Sequence, residues 1–167
     1  ADQYGVVVLK GSELDTRYGH FLVYGVNPRL LDAIDFTDVT MDPSHLIYEA
    51  KCHGAVVVPA HPGRPRIGLC HFIDMGLQFD DLKIVEELNG GSRDGENERA
   101  SALAVDLGAK GTGGSDAHLT SSIGSCLTQF DAVIRSDQEL VEALLWQEYK
   151  PITLKSDNMS SSLNVEL

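Results

Sequence analysis

The stretch Gly113-Gly114-Ser115-Asp116-Ala117-His118 places a carboxylate and an imidazole two residues apart, directly after glycines. On a strand exit, residues two apart point to the same side, so Asp116 and His118 are expected to reach one cation together. A second end of this kind lies upstream. Ala55-Val56-Val57-Val58-Pro59-Ala60-His61-Pro62-Gly63 is an apolar run of buried-strand character that delivers His61 at its carboxyl end and is then stopped by proline and glycine. Active sites of α/β proteins are built from such residues at strand exits.

Glu13 and His20 fall at further predicted strand ends or adjoining turns. With His61, Asp116 and His118 they make two carboxylates and three imidazoles, a mixed nitrogen and oxygen set suited to Zn, Mn or Fe. No cysteine belongs to it, which argues against a purely structural zinc site. A carboxylate such as Glu13 is able to bridge two metals. Paired metals polarise a phosphoryl oxygen, turn bound water into hydroxide, and hold attacking and leaving oxygens in line, so phosphoester hydrolysis suits this set best. Arg64, in His61-Pro62-Gly63-Arg64-Pro65-Arg66, follows a ligand-type histidine on a constrained loop. Guanidinium recognises phosphate in bidentate fashion, and Arg64 is the expected substrate clamp. Taken singly, His61 also fits a core histidine, Asp116 an N-cap, and Arg64 and Arg66 surface charges. The combined pattern favours the metal reading.

The elements that must position these residues follow from periodicity and punctuation. Val6 to Lys10 reads as a short buried strand ending at Gly11-Ser12-Glu13, and Phe21 to Val26 as another, with a polar turn from Asp15 to Gly19 between them. Pro43 opens a helix that ends near His53-Gly54 and feeds the Val56 strand. Leu82 to Leu88 is an apolar stretch ending at Asn89-Gly90-Gly91, which reads most simply as a turn. Glu96 to Leu107 has helical periodicity closed by Gly108. Lys110 to Ser115 is the strand that carries Asp116 and His118. Ser136 and Glu139 form a capping box for a helix through Trp146, and Lys150 to Leu154 is a last strand. The alternation favours an α/β sheet or part of a barrel, with residues 1–154 as one domain and 155–167 as a polar tail.

At 167 residues and 43% hydrophobic content the chain has enough apolar material for an ordinary core. Its formal net charge of −12 disfavours a duplex nucleic-acid partner held by a general basic surface. Three cysteines without a CxxC pair argue against a disulfide framework, so a reducing, cytoplasmic setting is expected. Neither a membrane span nor a signal peptide is expected from the apolar runs.

Gly11-Ser12-Glu13, Gly19-His20-Phe21-Leu22-Val23-Tyr24-Gly25, Pro59-Ala60-His61-Pro62, Leu88-Asn89-Gly90 and Gly114-Ser115-Asp116-Ala117-His118 occur in that order. In order and rough spacing, over approximately residues 5 to 154, the sequence resembles the PHP (polymerase and histidinol phosphatase) domain. The resemblance implies a distorted (β/α)7-type barrel of parallel strands and helices, with two or three divalent metal ions at the strand ends. It implies phosphate-ester hydrolysis by attack of a metal-bound hydroxide, and the acidic charge balance points to a small phosphoester or nucleotide as substrate. Glu13 matches the family's bridging glutamate, His20 and His61 its later histidine ligands, and Asp116 and His118 its closing pair. His61, Asp116 and His118 are the expected catalytic residues.

The departure from the family is equally specific. Its members open with a strand ending in His-x-His and soon carry an Asp-His pair, and neither occurs in this chain. The expectation is therefore a partial barrel lacking its first strands, its ligand set completed by a longer protein or another chain. Two other readings follow: a non-catalytic remnant acting as a regulatory or interaction module, and a metal-dependent amidohydrolase using the same chemistry on a carbonyl carbon.

Overall fold

A computed structural model describes residues 2–79 and 82–154. Its first sheet is a meander. Strands β1 (Gly11–Thr16) and β2 (Gly19–Tyr24) form a hairpin around Arg17 and Tyr18, closed by the Thr16 hydroxyl donating to the Gly19 carbonyl at 2.6 Å. So short a connection permits only antiparallel pairing. Helices α1 (Pro28–Ala33) and α2 (Pro43–Cys52) intervene before β3 (Val56–Pro59), which pairs antiparallel to β2. Both helices begin with proline at a position whose N–H would have no partner, after an Asn27 or Asp42 side chain that caps the first turn.

Helix α3 (Leu69–Asp74) follows. Strands β4 (Ile84–Asn89) and β5 (Lys110–Gly114) then run parallel, because helix α4 (Glu96–Leu107) supplies the crossover that parallel pairing needs. Gly108 ends α4 in the left-handed region at φ 59°, donating its N–H to Ala104, a conformation that favours glycine. Strands β6 (Cys126–Phe130) and β7 (Tyr149–Thr153) form an antiparallel pair joined through α5 (Asp137–Trp146). The Ser136 hydroxyl caps α5 by accepting from the Glu139 N–H, while the Glu139 carboxylate reaches back to the Arg135 N–H.

The expected (β/α)7-type barrel is therefore corrected. The described residues form three small sheets, β1-β2-β3, β4-β5 and β6-β7, two of them antiparallel, and no closed barrel. Sequence periodicity identifies strands but not which neighbour each pairs with. The first expected strand is corrected as well. Pairing begins at Gly11, opposite Tyr24, and the Val6 to Lys10 stretch before it forms no strand pairing among the described residues, with Val6, Val7 and Val8 exposed. The expected tail at 155–167 lies outside the described residues.

Burial alternates along β2. Phe21 and Val23 point into the main core with Leu30, Leu46 and Leu69, whereas Leu22 and Tyr24 face the other way, towards Val56, Val58 and Val141. Phe21 is fully buried against Phe79. Phe21→Ala is expected to destabilise the fold by about 3–5 kcal/mol, through lost burial and the cavity left behind, as read from the urea midpoint. No described helix is long and apolar enough to cross a membrane. The three cysteines are unpaired, and burial raises the thiols of Cys70 and Cys126 above their ordinary range.

Candidate metal centre

Strand register places the first two candidate ligands side by side. Glu13 pairs with Leu22 and Asp15 with His20, so Glu13, Asp15, His20, Leu22 and Tyr24 share one face of the hairpin. Beyond β3, Ala60 extends the pairing through its N–H to the His20 carbonyl, and His61 then turns into the left-handed region at φ 31°. That turn brings its imidazole onto Glu13. Glu13 Oε1 lies 3.1 Å from His61 Nε2 and 3.2 Å from His20 Nδ1, and the two rings meet edge to face at 5.1 Å. One oxygen thus faces two nitrogens.

The electrostatics follow from that geometry. Hydrogen bonds from His20 and His61 hold the Glu13 carboxyl well below the usual carboxylate range. The hydrogen bond to Glu13 raises the His20 imidazole above its ordinary value. Such a set fits a divalent cation. Metal bonds of about 2.0–2.2 Å let one ion span donors roughly 4 Å apart, and the Glu13 contacts to both imidazoles are shorter than that. His61 is 3% exposed and its Nδ1 has no partner among the described residues, so one edge of the ring still offers a buried lone pair or N–H.

Asp116 approaches from the other side. It follows β5 in the left-handed region at φ 47°, and its carboxylate lines a cavity of about 180 Å³ together with Glu13, His61, Glu86 and Asn89. Arg64 Nη2 donates to Asp116 Oδ2 at 2.8 Å, while Arg64 Nε stands 3.9 Å from Glu96. His118 stays beside Asp116, its Nδ1 3.7 Å from Asp116 Oδ1. Its side chain is 87% exposed, its Nδ1 is 2.9 Å from the Asp116 carbonyl oxygen, and it is not part of the cavity lining. The two side chains meet without the extended strand expected to bring them together, since β5 ends at Gly114 and Asp116 is left-handed. Among the described residues, one three-donor group meets metal-binding geometry, and it is Glu13, His20 and His61.

Glu86, Tyr24 and Asn89 line the cavity and escape the sequence reading. Glu86 is 4% exposed, accepts from the His61 backbone N–H at 2.7 Å, and is held above the ordinary carboxyl range by burial. Tyr24 lines the cavity and its hydroxyl is likewise raised by burial. The available signal was a carboxylate inside the apolar run Ile84-Val85-Glu86, since a buried acid needs a partner.

The PHP-associated family model matches residues 94–148, about a third of the chain, a segment that holds α4, β5 and Asp116 but not the Glu13–His20–His61 group. No curated protein matches the sequence. The fold is similar to the crystal structure of PsfC from Pseudomonas syringae PB-5123, with a TM-score of 0.68 over 88% of this chain at 21% identity. The chain spans 59% of the length of that structure, and the likeness concerns the fold alone.

Proposed function

We propose that this chain, which carries a PHP-related domain, is a metal-dependent phosphoesterase that works in the cavity between Glu13, His61 and Asp116. The observation that supports this most is one cavity lined by Glu13, His61 and Asp116, with His20 held against Glu13 and Arg64 against Asp116 behind that lining. In this reading Glu13, His20 and His61 hold one of two or three cations of the Mn, Zn or Fe kind, and Asp116 serves a neighbouring one. Bound there, divalent cations supply Lewis acidity towards a phosphoryl oxygen and towards water.

The chain's own residues do the remaining work. Arg64 binds the phosphoryl oxygens, exchanging the Asp116 carboxylate for the substrate anion. Leu22 and Ala60, which line the cavity, limit water around the reacting group. His118, at the exposed side of Asp116, holds a proton for the departing alkoxide. Further ligands come from another segment or chain. The substrate is a small phosphoester or nucleotide, since a net charge of −12 opposes long polyanions. Three unpaired cysteines suit a reducing, cytoplasmic setting.

A second reading, a non-catalytic PHP-related module, is favoured by the exposure of His118 and by the single three-donor group among the described residues. Hydrolysis of p-nitrophenyl phosphate after metal supplementation separates the two. Metal-dependent turnover, lost in Asp116→Ala, supports the phosphoesterase, and its absence with metal bound supports the module. Amide turnover without phosphatase activity would instead point to an amidohydrolase. Arg64→Ala is expected to raise KM for the aryl phosphate roughly 10–100-fold, the worth of a hydrogen bond to a charged group, with metal content unchanged. Wild-type kinetics in that variant would remove Arg64 from the site.

A further inference from the structure

Asn89 ends β4 at the back of the cavity, 2% exposed, and every polar group it owns is engaged. Asn97 fixes its backbone by accepting from the Asn89 N–H at 3.0 Å and donating to the Asn89 carbonyl at 3.1 Å. Its side chain then works in two directions. Nδ2 donates to Glu86 Oε2 at 3.0 Å, and Oδ1 accepts from Gly91 N at 2.8 Å and from Arg64 Nη2 at 3.4 Å. In a regular strand, residues 86 and 89 would face opposite sides. The register shift between Glu86 and Leu88 places them on one side, where their side chains meet.

Each neighbour leads on to a candidate ligand. Glu86 Oε2 also accepts from the backbone N–H of His61, which it clamps in its left-handed turn. Arg64 Nη2 also donates to Asp116 Oδ2. One buried amide therefore links His61 to Asp116 through two chains of hydrogen bonds. The residue must donate on one side and accept on the other, as an amide does. A carboxylate at 89 would face the Glu86 carboxylate, and an alanine would release both neighbours.

We propose that Asn89 is a positioning residue that fixes His61 of the Glu13–His20–His61 group and Asp116 relative to each other. This rests on the metal reading above. The test uses Co²⁺ titration of the whole chain, with the visible spectrum at saturation as readout. Asn89→Asp is expected to weaken Co²⁺ binding about 10–100-fold, the usual effect of losing a group that orients a ligand, and to shift the spectrum. Asn89→Ala, which removes both hydrogen bonds without adding charge, gives the same readout if Asn89→Asp does not fold. A spectrum shift is what a purely structural role would not produce. Wild-type affinity and spectrum in the folded variant would overturn the positioning role while leaving the metal reading intact. A wild-type chain that takes up no Co²⁺ would overturn the metal reading, and this inference with it.

Discussion

Glu13→Gln is expected to lower divalent-cation affinity by at least about 100-fold, more than the loss of a supporting group costs. Glu13 Oε1 is the atom both imidazoles face, and it is the one anion in the three-donor group. Glutamine keeps the shape and removes the charge. Its amide then meets His20 and His61 with either a neutral oxygen or a competing N–H, so the change acts on electrostatics more than on packing. Thermal unfolding provides a second readout. A cation at 100 times its Kd stabilises the wild type by about 2.7 kcal/mol, roughly 5–10 °C in Tm for a domain of this size. The variant should gain about 1 °C or less at the same concentration. An equal Tm gain in both proteins would mean that the cation binds elsewhere.

Gly63→Ala is expected to cost about 3 kcal/mol or more and to displace Arg64. A Cβ at Gly63 would run into the carbonyl of Glu96, the first residue of α4, and stand 3.1 Å from Arg99 Cβ. The obstacle is backbone, held by the helix itself, so neither side can yield cheaply. Because Gly63 joins the His61 turn to Arg64, the displacement should reach the site as well as the core. Urea unfolding should show a lowered midpoint at unchanged slope, and phosphoester KM should rise in whatever protein remains folded. A midpoint within error of the wild type would show that the loop moves away from α4 freely.

Local chemistry made much of this legible. The helices α2, α4 and α5 could be read because proline, glycine or a capping serine marks their ends, and β3 because four apolar residues precede a proline. The short helices α1 and α3 could not, since six residues span under two helical turns, nor could β6, whose Cys126-Leu127-Thr128-Gln129-Phe130 shows no strict apolar–polar alternation. Sheet pairing was hidden because it depends on contacts distant in sequence. The meeting of Glu13 with His61, 48 residues apart, was anticipated through motif order and is visible physically only in the β1-β2-β3 register. Asp116 illustrates the opposite case. Strand alternation predicts His118 beside it on one face; a left-handed residue breaks that alternation, and the imidazole stays within 3.7 Å of the carboxylate but largely in solvent. Glu86 and Asn89 are site residues because a register shift in β4 turns them to the same side, and nothing in Ile84-Val85-Glu86-Glu87-Leu88-Asn89 announces that shift.

Metal-dependent phosphoester hydrolysis at this cavity is decided by the rate of p-nitrophenyl phosphate turnover by the whole chain as Mn²⁺ is titrated into metal-stripped protein. No turnover is expected without metal, with a rate that rises to saturation with Mn²⁺ and is lost in Glu13→Gln. Turnover indifferent to metal, or no turnover at saturating Mn²⁺ bound to the Glu13–His20–His61 group, would contradict it.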